Sequence, residues 1–572
     1  MRPTFSGINI ARSALVAQQL ALDTIGQNVA NANTPGYSRR RVSMNPYLPI
    51  PGKDYGAGAG QVGTGVQADL IERLRNQFLD RQYRDENGLK GQYETSYDYL
   101  QRVEAVFGEL DGEGLAPLMD KFFNSWHELS IRPDNISIRK TVAEAGYNLG
   151  QFFNKLISDL QGIQSDLNDD LNNTVTVINQ KAQRLAALNK QIKISLASGD
   201  QPNDLMDERD RILDDLSKIS DIKIADPAND HFKVIINGKP IVEGDTFHPL
   251  QTIYNSDALI GTTAIDTTGI TMQRTSTGVA GQGFLKINGV AIYDEGTPAN
   301  NVINSTAALV NLINSKSGQT GVLAKTDESN RLYLYANGMG TQSINIEEDG
   351  NGFAVTKISN GIYQQTNANK IRYEDLSYVY PDNGKLKGID DTIFSTIPDL
   401  IKKLDTLASS LITRVNTVHQ NSYDLNGNTG IPFFTGTKAS DIAVSGTIMA
   451  DPSTIAIAAS SIYPPGDGSN ALQIANLKSA TVVNGLTVDN YYNSLLTDLG
   501  MVVERTGTLS DSQGLILDQI QTQKESVSGV NMDEEMADLV QYQRSYAAAA
   551  RVMNAMDEVL NTVINGMGLV GR

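Results

Sequence analysis

Apolar residues recur at alternating spacings of three and four at both ends of this 572-residue chain. Near the N-terminus these residues are Ile8, Ala11, Leu15, Leu22, Ile25 and Val29. Near the C-terminus they are Met536, Leu539, Tyr546, Ala550, Met553, Leu560 and Ile564. Such spacing places a narrow apolar seam along one side of a helix, as in a coiled coil. Neither helix can bury its seam alone, so the pattern predicts that each terminal helix packs against a partner helix.

Periodicity alone leaves two interpretations of these seams open. The two helices fit an ordinary globular core, to which both ends of the chain contribute. They equally fit a chain that begins and ends in one helical rod, and rods of that kind build assemblies. The seams are therefore candidate assembly residues.

Composition excludes several classes of protein. The net charge of −18 argues against nucleic-acid binding, because phosphate recognition needs a basic face. The chain has no cysteine, which excludes disulfides and thiolate metal sites and suits a protein that is exported unfolded and reduced. The N-terminal stretch lacks the continuous apolar region of a cleaved signal peptide, and no stretch is apolar enough to span a bilayer. We expect neither a nucleic-acid nor a membrane partner.

Helical periodicity is interrupted by one strand-prone region. Helical patterns cover about 70–110, 150–220 and 396–420, and a break at 199–204 makes a long helical hairpin of the second stretch. From about 226 to 380 the sequence is rich in Gly, Thr, Asn and Ser, with short β-prone runs. The predicted fold is a multidomain, mainly α-helical rod, with a terminal coiled coil, a long helical bundle and an inserted β-rich or α+β outer domain.

These patterns divide the chain into three predicted domains. Residues 1–45 with 525–572 form an inner terminal coiled-coil domain. Residues 46–225 with 381–524 form a helical middle domain with some β structure. Residues 226–380 form the outer domain, which therefore hangs from the side of the rod.

Several motifs suggest chemistry but lack its other requirements. The glycines of 58–63 match a dinucleotide fingerprint, but a Pro-rich loop precedes them in place of a strand. Asp424 begins a stretch like a calcium loop, but its twelfth position is Thr435 rather than a bidentate glutamate, so a tight turn is expected. The four histidines show no metal-ligand spacing. The sequence predicts no catalytic residue, no metal site and no cofactor.

Two clusters of charge lie outside the seams. Arg39, Arg40 and Arg41 are interpreted as a solvated basic face, with contact to an acidic neighbouring subunit as the alternative. Asp204 is well placed as the N-cap of a helix, with Asp207 adding negative charge to the first turn. Neither cluster predicts catalysis.

The flanks of the seams are more specific than the seams themselves. Residues 21–37, ALDTIGQNVANANTPGY, resemble the N-terminal signature of the flagellar rod, hook and hook-associated proteins. The signature positions are Asn28, Ala30, Asn31, Thr34, Gly36 and Tyr37. Residues 528–539, SGVNMDEEMADL, are similar to the matching C-terminal signature. Stretches at 203–210, 415–419 with 424–427, and 431–434 resemble the members of this family that form the junction between hook and filament.

The resemblance implies a structural subunit of the flagellum and no enzyme. In the family, the terminal helices form an inner coiled coil, and copies assemble as a helical layer. The implied partners are further copies of the chain, the hook protein, the second hook–filament junction protein, and a cytoplasmic export chaperone that binds the C-terminal helix. The implied location is extracellular, after export by the flagellar type III pathway without a cleaved signal peptide. Residues 283–346 also resemble a repeat motif of flagellin-like outer domains.

Two other functions stay open at this point. A hook or distal-rod protein shares the terminal signatures, although the helical hairpin at 150–220 favours the junction protein. A secreted adhesin or enzyme would use the helical ends to anchor an active outer domain at 226–380.

The seams also predict when the ends fold. Ordering a residue costs about 1–2 kcal/mol of backbone entropy, which only burial of the apolar seams offsets. We therefore expect residues 5–30 and 535–564 to be disordered in the free chain and helical after assembly.

Overall fold

Long helices dominate the described residues, which confirms the predicted mainly helical fold with strand-rich additions. The computed structural model describes residues 6–49, 63–107, 114–225, 232–253, 285–293, 306–326, 332–336, 343–348, 361–364, 370–374, 377–462 and 464–566. Most of the glycine-rich motif at 58–63 therefore lies outside the described residues. Within these ranges, no helix combines the length and the apolarity that a membrane crossing requires.

Thirteen α-helices are described. They are α1 Ser6–Ala30, α2 Gln77–Val106, α3 Leu115–Ile131, α4 Ile136–Ala197, α5 Asn203–Ile219, α6 Thr306–Ser315, α7 Ser317–Thr320, α8 Gly384–Asp391, α9 Ile397–Gln420, α10 Gly446–Ala450, α11 Ser469–Asn476, α12 Val488–Ser528 and α13 Met532–Gly566. The long α4 and the shorter α5 are the predicted helical hairpin.

The described strands are short and form small sheets. They are β1 Arg40–Pro46, β2 Val66–Arg73, β3 Ile222–Ala225, β4 Lys233–Ile236, β5 Lys239–Glu243, β6 Thr246–Phe247, β7 Gln251–Ile253, β8 Leu285–Ile287, β9 Val290–Tyr293, β10 Val322–Thr326, β11 Leu332–Ala336, β12 Ser343–Glu348, β13 Gly361–Gln364, β14 Lys370–Arg372, β15 Phe434–Thr435 and β16 Ala443–Val444. The sheets have the orders β3-β4-β5-β6, β13-β12-β8-β9, β1-β2, β10-β11, β7-β14 and β15-β16.

The chain divides into two compact units. The first contains Met1–Lys90, Gln180–His248 and Asp511–Arg572, and the second contains Gly91–Asn179 and Pro249–Ser510. The sheet β3–β6 belongs to the first unit, although its strands lie mostly in the predicted outer domain. The three-domain division stays a prediction, because much of 254–369 lies outside the described residues.

The first unit is built around its terminal helices. Helix α1 packs along α13, and the hairpin β1–β2 lies against α1. The hairpin pairs Arg40 with Arg73 at one end and Pro46 with Val66 at the other, and a bulge interrupts its register after Ser43. These contacts bring both ends of the chain, β1 and β2 together.

The core of the second unit is an aromatic cluster. Trp126 of α3 is fully buried, and its ring centroid lies 5.1 Å from that of Phe433. Phe434 lies 4.9 Å from Phe433 and 5.4 Å from Phe122. Helix α4 passes this cluster at Gly146, where a Cβ would lie 2.8 Å from the Phe433 ring. The stretch at 431–434 therefore serves the core.

The chain enters and leaves the outer segment through one pair of strands in the second unit. Strands β7 and β14 are antiparallel, with Gln251 opposite Arg372 and Ile253 opposite Lys370. Asn179 of α4 holds the approach to β7, because its Nδ2 donates to the Leu250 carbonyl oxygen and its Oδ1 accepts from the Leu250 N–H, both at 2.8 Å. The two ends of segment 254–369 therefore start from adjacent points.

The pKa values of two titratable groups of the second unit, the buried His419 and the partly buried Asp390, shift in opposite directions. The His419 Nε2 accepts from the Ala456 N–H at 2.9 Å, so the proton sits on Nδ1, which lies 2.5 Å from the Ile431 carbonyl oxygen. Burial outweighs this last hydrogen bond and lowers the pKa of His419 to about 4. Burial also raises the pKa of Asp390 to about 6, against the attraction of Lys387.

We expect His419 and Asp390 to give opposing pH dependences of the free energy of unfolding. The folded pKa of His419 lies below its ordinary 6.5, so its stabilisation is complete above pH 6.5 and lost as the pH falls through 4. The folded pKa of Asp390 lies above its ordinary 3.8, so its stabilisation is complete below pH 3.8 and lost as the pH rises through 6.

Each substitution removes one of the two groups, so the pH dependence of the variant's free energy of unfolding should show the contribution of the remaining group. In the Asp390→Asn variant the free energy of unfolding should rise by about 3 kcal/mol as the pH increases from 4 to 6.5, because only His419 then titrates. In the His419→Gln variant the free energy of unfolding should instead fall as the pH increases from 3.8 to 6, because only Asp390 then titrates. Denaturation followed by Trp126 fluorescence measures both, since Trp126 lies in the same unit. Equal slopes of the free energy of unfolding against pH in the wild type and both variants would contradict the pKa shifts assigned to His419 and Asp390.

Candidate assembly site: the terminal helix pair and its junction

Helices α1 and α13 pack antiparallel and very closely. Near one end of the pair, Asn28 meets Glu535, and near the other Gly7 meets Met556. A Cβ on Gly7 would lie 2.8 Å from the Met556 sulfur, so a larger residue there would displace the end of the Met556 side chain. Ala17 of α1 is 1% exposed. Small residues at the contact allow two helix axes to approach each other.

The predicted seam residues of α1 lie towards the interior of the first unit. Ala11 and Ile25 are buried, and the other four seam residues are partly buried: Ile8, Leu15, Leu22 and Val29. The most buried positions of α1 also include Ala17, Ala21, Thr24 and Asn28, so the packed side is centred next to the predicted seam, and the assembly role of the seam stays a prediction.

On α13 the seam residues are divided between a covered and an open side. Four are partly buried: Leu539, Ala550, Met553 and Leu560. Three are exposed: Met536 by 51%, Tyr546 by 38% and Ile564 by 68%. Glu535 and Ala549, each next to a predicted seam position, are buried instead. The side of α13 that packs against α1 therefore includes Glu535 and Ala549, which each precede a predicted seam residue by one position. The assembly role of the exposed members stays a prediction.

The intrachain pair leaves an apolar surface open. Val16 of α1 is 60% exposed, and on α13 Val559 is 58% exposed. Val540 and Val552 of α13 are also exposed. With Met536 and Ile564, these side chains extend over most of the length of α13. One chain therefore covers only part of its own coiled-coil surface.

The N-terminal signature forms the turn that ends α1 and starts β1. Asn28 is 1% exposed, and its Oδ1 accepts from the Tyr37 hydroxyl at 2.9 Å and the Arg40 N–H at 3.0 Å. Its Nδ2 donates to the Arg40 carbonyl oxygen at 2.9 Å and to Glu535 at 3.0 Å. Burial raises the pKa of Tyr37, which keeps its hydroxyl a donor. One asparagine thus ties α1, β1 and α13 together.

The other signature residues shape that turn. The Thr34 hydroxyl donates to Asn31 Oδ1 at 3.2 Å, and the Thr34 N–H donates to the Asn31 carbonyl oxygen at 2.9 Å. Gly36 has a φ of +82° and would place a Cβ 3.3 Å from Arg211, so two constraints select glycine there. Ala30 is exposed.

Arg39 joins this turn to both sides of the α12–α13 joint. Its N–H donates to the carbonyl oxygen of Ser528, the last residue of α12, at 2.8 Å. Its guanidinium lies 2.6 Å from both Glu534 and Glu535 and 3.6 Å from Asp538, in the first two turns of α13. The Glu535 side chain is only 2% exposed. Arg39 therefore supplies the positive charge that this buried carboxylate requires.

A second set of ion pairs lies on the acidic face of α5. Asp207 pairs with Arg40 at 3.3 Å and with Arg73 at 2.9 Å, and Arg40 also contacts Asp204. Asp210 pairs at 2.8 Å with Arg73, at 3.1 Å with Arg75 and at 3.5 Å with Arg84. We call this set the α5 ion-pair cluster, with Asp80, Asp214 and Lys524 as its remaining members.

The electrostatics of the cluster favour its charged state. Burial alone would raise the pKa of Asp210, but the positive charges of Arg75, Arg73 and Arg84 outweigh it and lower this pKa. Burial alone would lower the pKa of Arg75, but Asp210 and Asp80 outweigh it in the opposite direction. The cluster therefore holds the β1–β2 hairpin, α2, α5 and α12 together by paired charges.

Two expectations about charged residues were wrong. The arginine triplet is not a solvated face, because the Arg40 side chain is 7% exposed, and only Arg41, at 62%, is open to solvent. Asp204 is not the N-cap of α5, since Pro202 occupies that position and Asp204 lies in the first turn. The first error has a physical cause, because the carboxylates that pair with Arg39 and Arg40 are more than 160 residues away in the sequence.

A signal for the cluster was nevertheless present in the sequence. Asp204, Asp207, Asp210 and Asp214 are three, three and four residues apart, which places four carboxylates on one side of a helix. Such a face needs cations, and the arginines near β1 and β2 supply them. Glu535 carried no comparable signal, because one buried acid leaves no periodic trace.

The calcium-like stretch is a turn in the second unit. Asp424 Oδ1 accepts the N–H groups of Asn426 and Asn428, both at 2.8 Å, and Gly427 has a φ of +77°. These hydrogen bonds occupy the carboxylate within its own loop. Throughout the described part of the chain, no group of histidines and carboxylates could hold a metal ion.

Comparison with known proteins assigns the chain to a family. The family model of the flagellar hook-associated protein FlgK helical domain matches residues 100–313 and 294–434. The flagella basal body rod protein family matches residues 8–37, and the C-terminal family of the flagellar basal body rod FlgEFG proteins matches 522–566. The two shorter matches fall on the terminal helices.

Full-length relatives agree with these models. Flagellar hook-associated protein 1 of Bacillus subtilis (strain 168) is 32% identical over 587 residues and covers 100% of both chains. The protein of the same name from Escherichia coli (strain K12) is 26% identical and covers 98% of this chain and 99% of its own.

A solved structure supports the fold. The flagellar hook junction protein FlgK from Burkholderia pseudomallei matches with a TM-score of 0.51 at 14% identity, over 78% of this chain and 100% of its own. Family models, relatives and fold agree, and the chain therefore belongs to the flagellar hook-associated protein 1 (FlgK) family.

Proposed function

We propose that the terminal helix pair is the surface through which this chain assembles at the junction between flagellar hook and filament. Membership of the family makes the chain a structural subunit of that junction. The observation that carries the proposal is the apolar surface that α1 and α13 leave open, with Val559 58% and Ile564 68% exposed. Neighbouring copies would cover it and complete the coiled coil.

A helical layer of copies suits an adaptor. Contacts in such a layer run head to tail and close on no two-fold axis, so each copy presents two different surfaces. One surface would contact the hook protein and the other the second junction protein. The layer then joins two unlike helical structures mechanically.

The same open surface supports a chaperone before export. A free α13 would expose Met536, Val540 and Val552, which favours association with a helical partner. We propose that a cytoplasmic export chaperone covers α13 until the chain leaves through the flagellar type III pathway without a cleaved signal peptide. The protein would then act outside the cell.

An adhesin or enzyme in the outer domain is the competing function. Within a family of structural flagellar proteins we propose that the chain has no catalytic role, and that the outer segment is dispensable for joining hook to filament. The strands β7 and β14 allow a direct test. Ile253 and Lys370 stand opposite each other, so an Asn-Gly turn can replace residues 254–369 and close a hairpin.

Electron microscopy of a deletion strain tests both proposals together. Cells without the gene should carry hooks without filaments, and the full chain should restore the filaments. The shortened chain should restore them as well, because its terminal pair and ion-pair cluster are intact. Hooks that carry the shortened chain but hold no filament would contradict an adaptor that works without its outer segment.

A further inference from the structure

A groove in the first unit is not used by the terminal pair. It has a volume of about 690 Å³ and lies between β2, the start of α2, the ends of α4 and α5 that face each other, and the sheet β3–β6. Its floor includes Ile71, Ile192 and the buried Phe232, over whose ring the Arg209 guanidinium lies at 4.3 Å. The volume is typical of a site that encloses a ligand or an inserted segment.

The rim of this groove is cationic. Among the described residues that line it, seven side chains are cationic and four are carboxylates. Two of those carboxylates and three of the cations already pair within the α5 ion-pair cluster: Asp80, Asp210, Arg73, Arg75 and Arg84. The lining cations outside the cluster are Arg81, Lys190, Lys193 and Arg209. The rim residues Arg81, Lys190 and Lys193 are exposed.

The floor of the groove also favours an incoming negative charge. Burial lowers the pKa of Arg209, and repulsion from Arg73, Arg84 and Arg75 acts in the same direction, against the attraction of Asp210. The floor of the groove is therefore both apolar and cationic.

The overall charge of the chain identifies the most suitable occupant. With a net charge of −18, the surface of every copy is acidic on average, so a cationic groove is complementary to another copy of the same chain. Head-to-tail assembly brings two different surfaces of neighbouring copies into contact and allows one to supply the groove and the other the acid.

We propose that this groove receives an acidic surface segment of a second copy of the chain in the assembled layer. The proposal rests on the proposed function, because it requires the helical layer. It adds an electrostatic contact to the apolar contacts of the terminal pair, and it assigns Lys190 and Lys193 of α4 to that contact.

Photo-crosslinking in purified flagella tests the occupant. The full chain with p-benzoylphenylalanine in place of Lys190 should, after irradiation, give a covalent dimer of this chain whose link maps to an acidic segment of the second copy. The same probe in place of Lys155, an exposed lysine of the same helix in the second unit, is the comparison. A link from position 190 to a different flagellar protein, or no link, would overturn the proposal.

Charge reversal gives an independent result. Lys190→Glu with Lys193→Glu should reduce the number of hooks that hold filaments by about tenfold or more, because carboxylate would then face carboxylate. Lys140→Glu with Lys155→Glu changes the net charge equally on exposed positions of the same helix and should have little effect. Equal effects of the two pairs would contradict the proposal. If the chain is present in flagella but the crosslinking and charge-reversal experiments fail, only the groove proposal is refuted and the junction function stands. If the chain is absent from flagella, the proposed junction function itself is refuted.

Discussion

A single aspartate at Leu22 or at Leu560 is expected to abolish assembly of the junction. Both leucines are partly buried in the α1–α13 pair. A carboxylate there must lose water without gaining a cation, which costs several kcal/mol, roughly 2–7 for an unpaired polar group. Every copy in the layer repeats that cost. Cells that produce Leu22→Asp or Leu560→Asp should therefore carry hooks without filaments.

Neighbouring exposed positions provide the matched controls for the two seam variants. Gln19→Asp on α1 and Asn561→Asp on α13 introduce the same side chain on exposed positions and should leave filaments attached. The second unit should remain folded in all four variants, which Trp126 fluorescence reports. A normal junction built from either leucine variant would refute the assignment of the seams.

Asp210→Asn should be the most destabilising isosteric substitution in the α5 ion-pair cluster. It removes one negative charge and leaves Arg73, Arg75 and Arg84, whose side chains are 15%, 11% and 8% exposed, close together. Removal of one partner from a buried pair costs about 3–5 kcal/mol. Because the pKa of Asp210 is lowered, its stabilisation is present above the ordinary value of 3.8 and lost on further acidification.

The control for Asp210 lies on the same helix. Glu208 pairs with Arg184 at 2.8 Å on the surface, and Glu208→Gln should change the free energy of unfolding by less than about 1 kcal/mol. Circular dichroism reports both units, whereas the only tryptophan lies in the second. Asp210→Asn should therefore lower the dichroism midpoint and leave the fluorescence midpoint in place. Equal shifts for Asp210→Asn and Glu208→Gln would contradict the role of the cluster.

Helices were the part of the fold that the sequence predicted best, because their periodicity is local. The spacing of Leu15, Leu22 and Ile25 depends only on the helical repeat, and all three side chains are at least partly buried. On α13, a run of four alanines at 547–550 allows two neighbouring seams that differ by one residue. Only the contact with α1, fixed by Asn28 and by Gly7, selects Glu535 and Ala549 for the packed side.

Long-range electrostatics was the part that local patterns did not predict. Arg40 of β1 and Arg73 of β2 pair with carboxylates on α5 that are more than 130 residues away in the sequence. Burial of Arg40 and Asp207 is tolerable only because both are paired, and that pairing is a property of the tertiary fold. The strand-rich composition also did not predict which compact unit a strand joins. The sheet β3–β6 belongs to the first unit, although its sequence resembles that of the outer segment.

The central claim is that one chain carries an incomplete coiled-coil surface that other copies complete. Amide hydrogen exchange, measured on the purified free chain and on assembled flagella, tests it most directly. Residues 5–30 and 535–564 should exchange rapidly in the free chain and become protected in the assembly, while α3 and α9 of the second unit are protected in both. Equal protection of the two terminal segments in the free chain and in the assembly would contradict the claim.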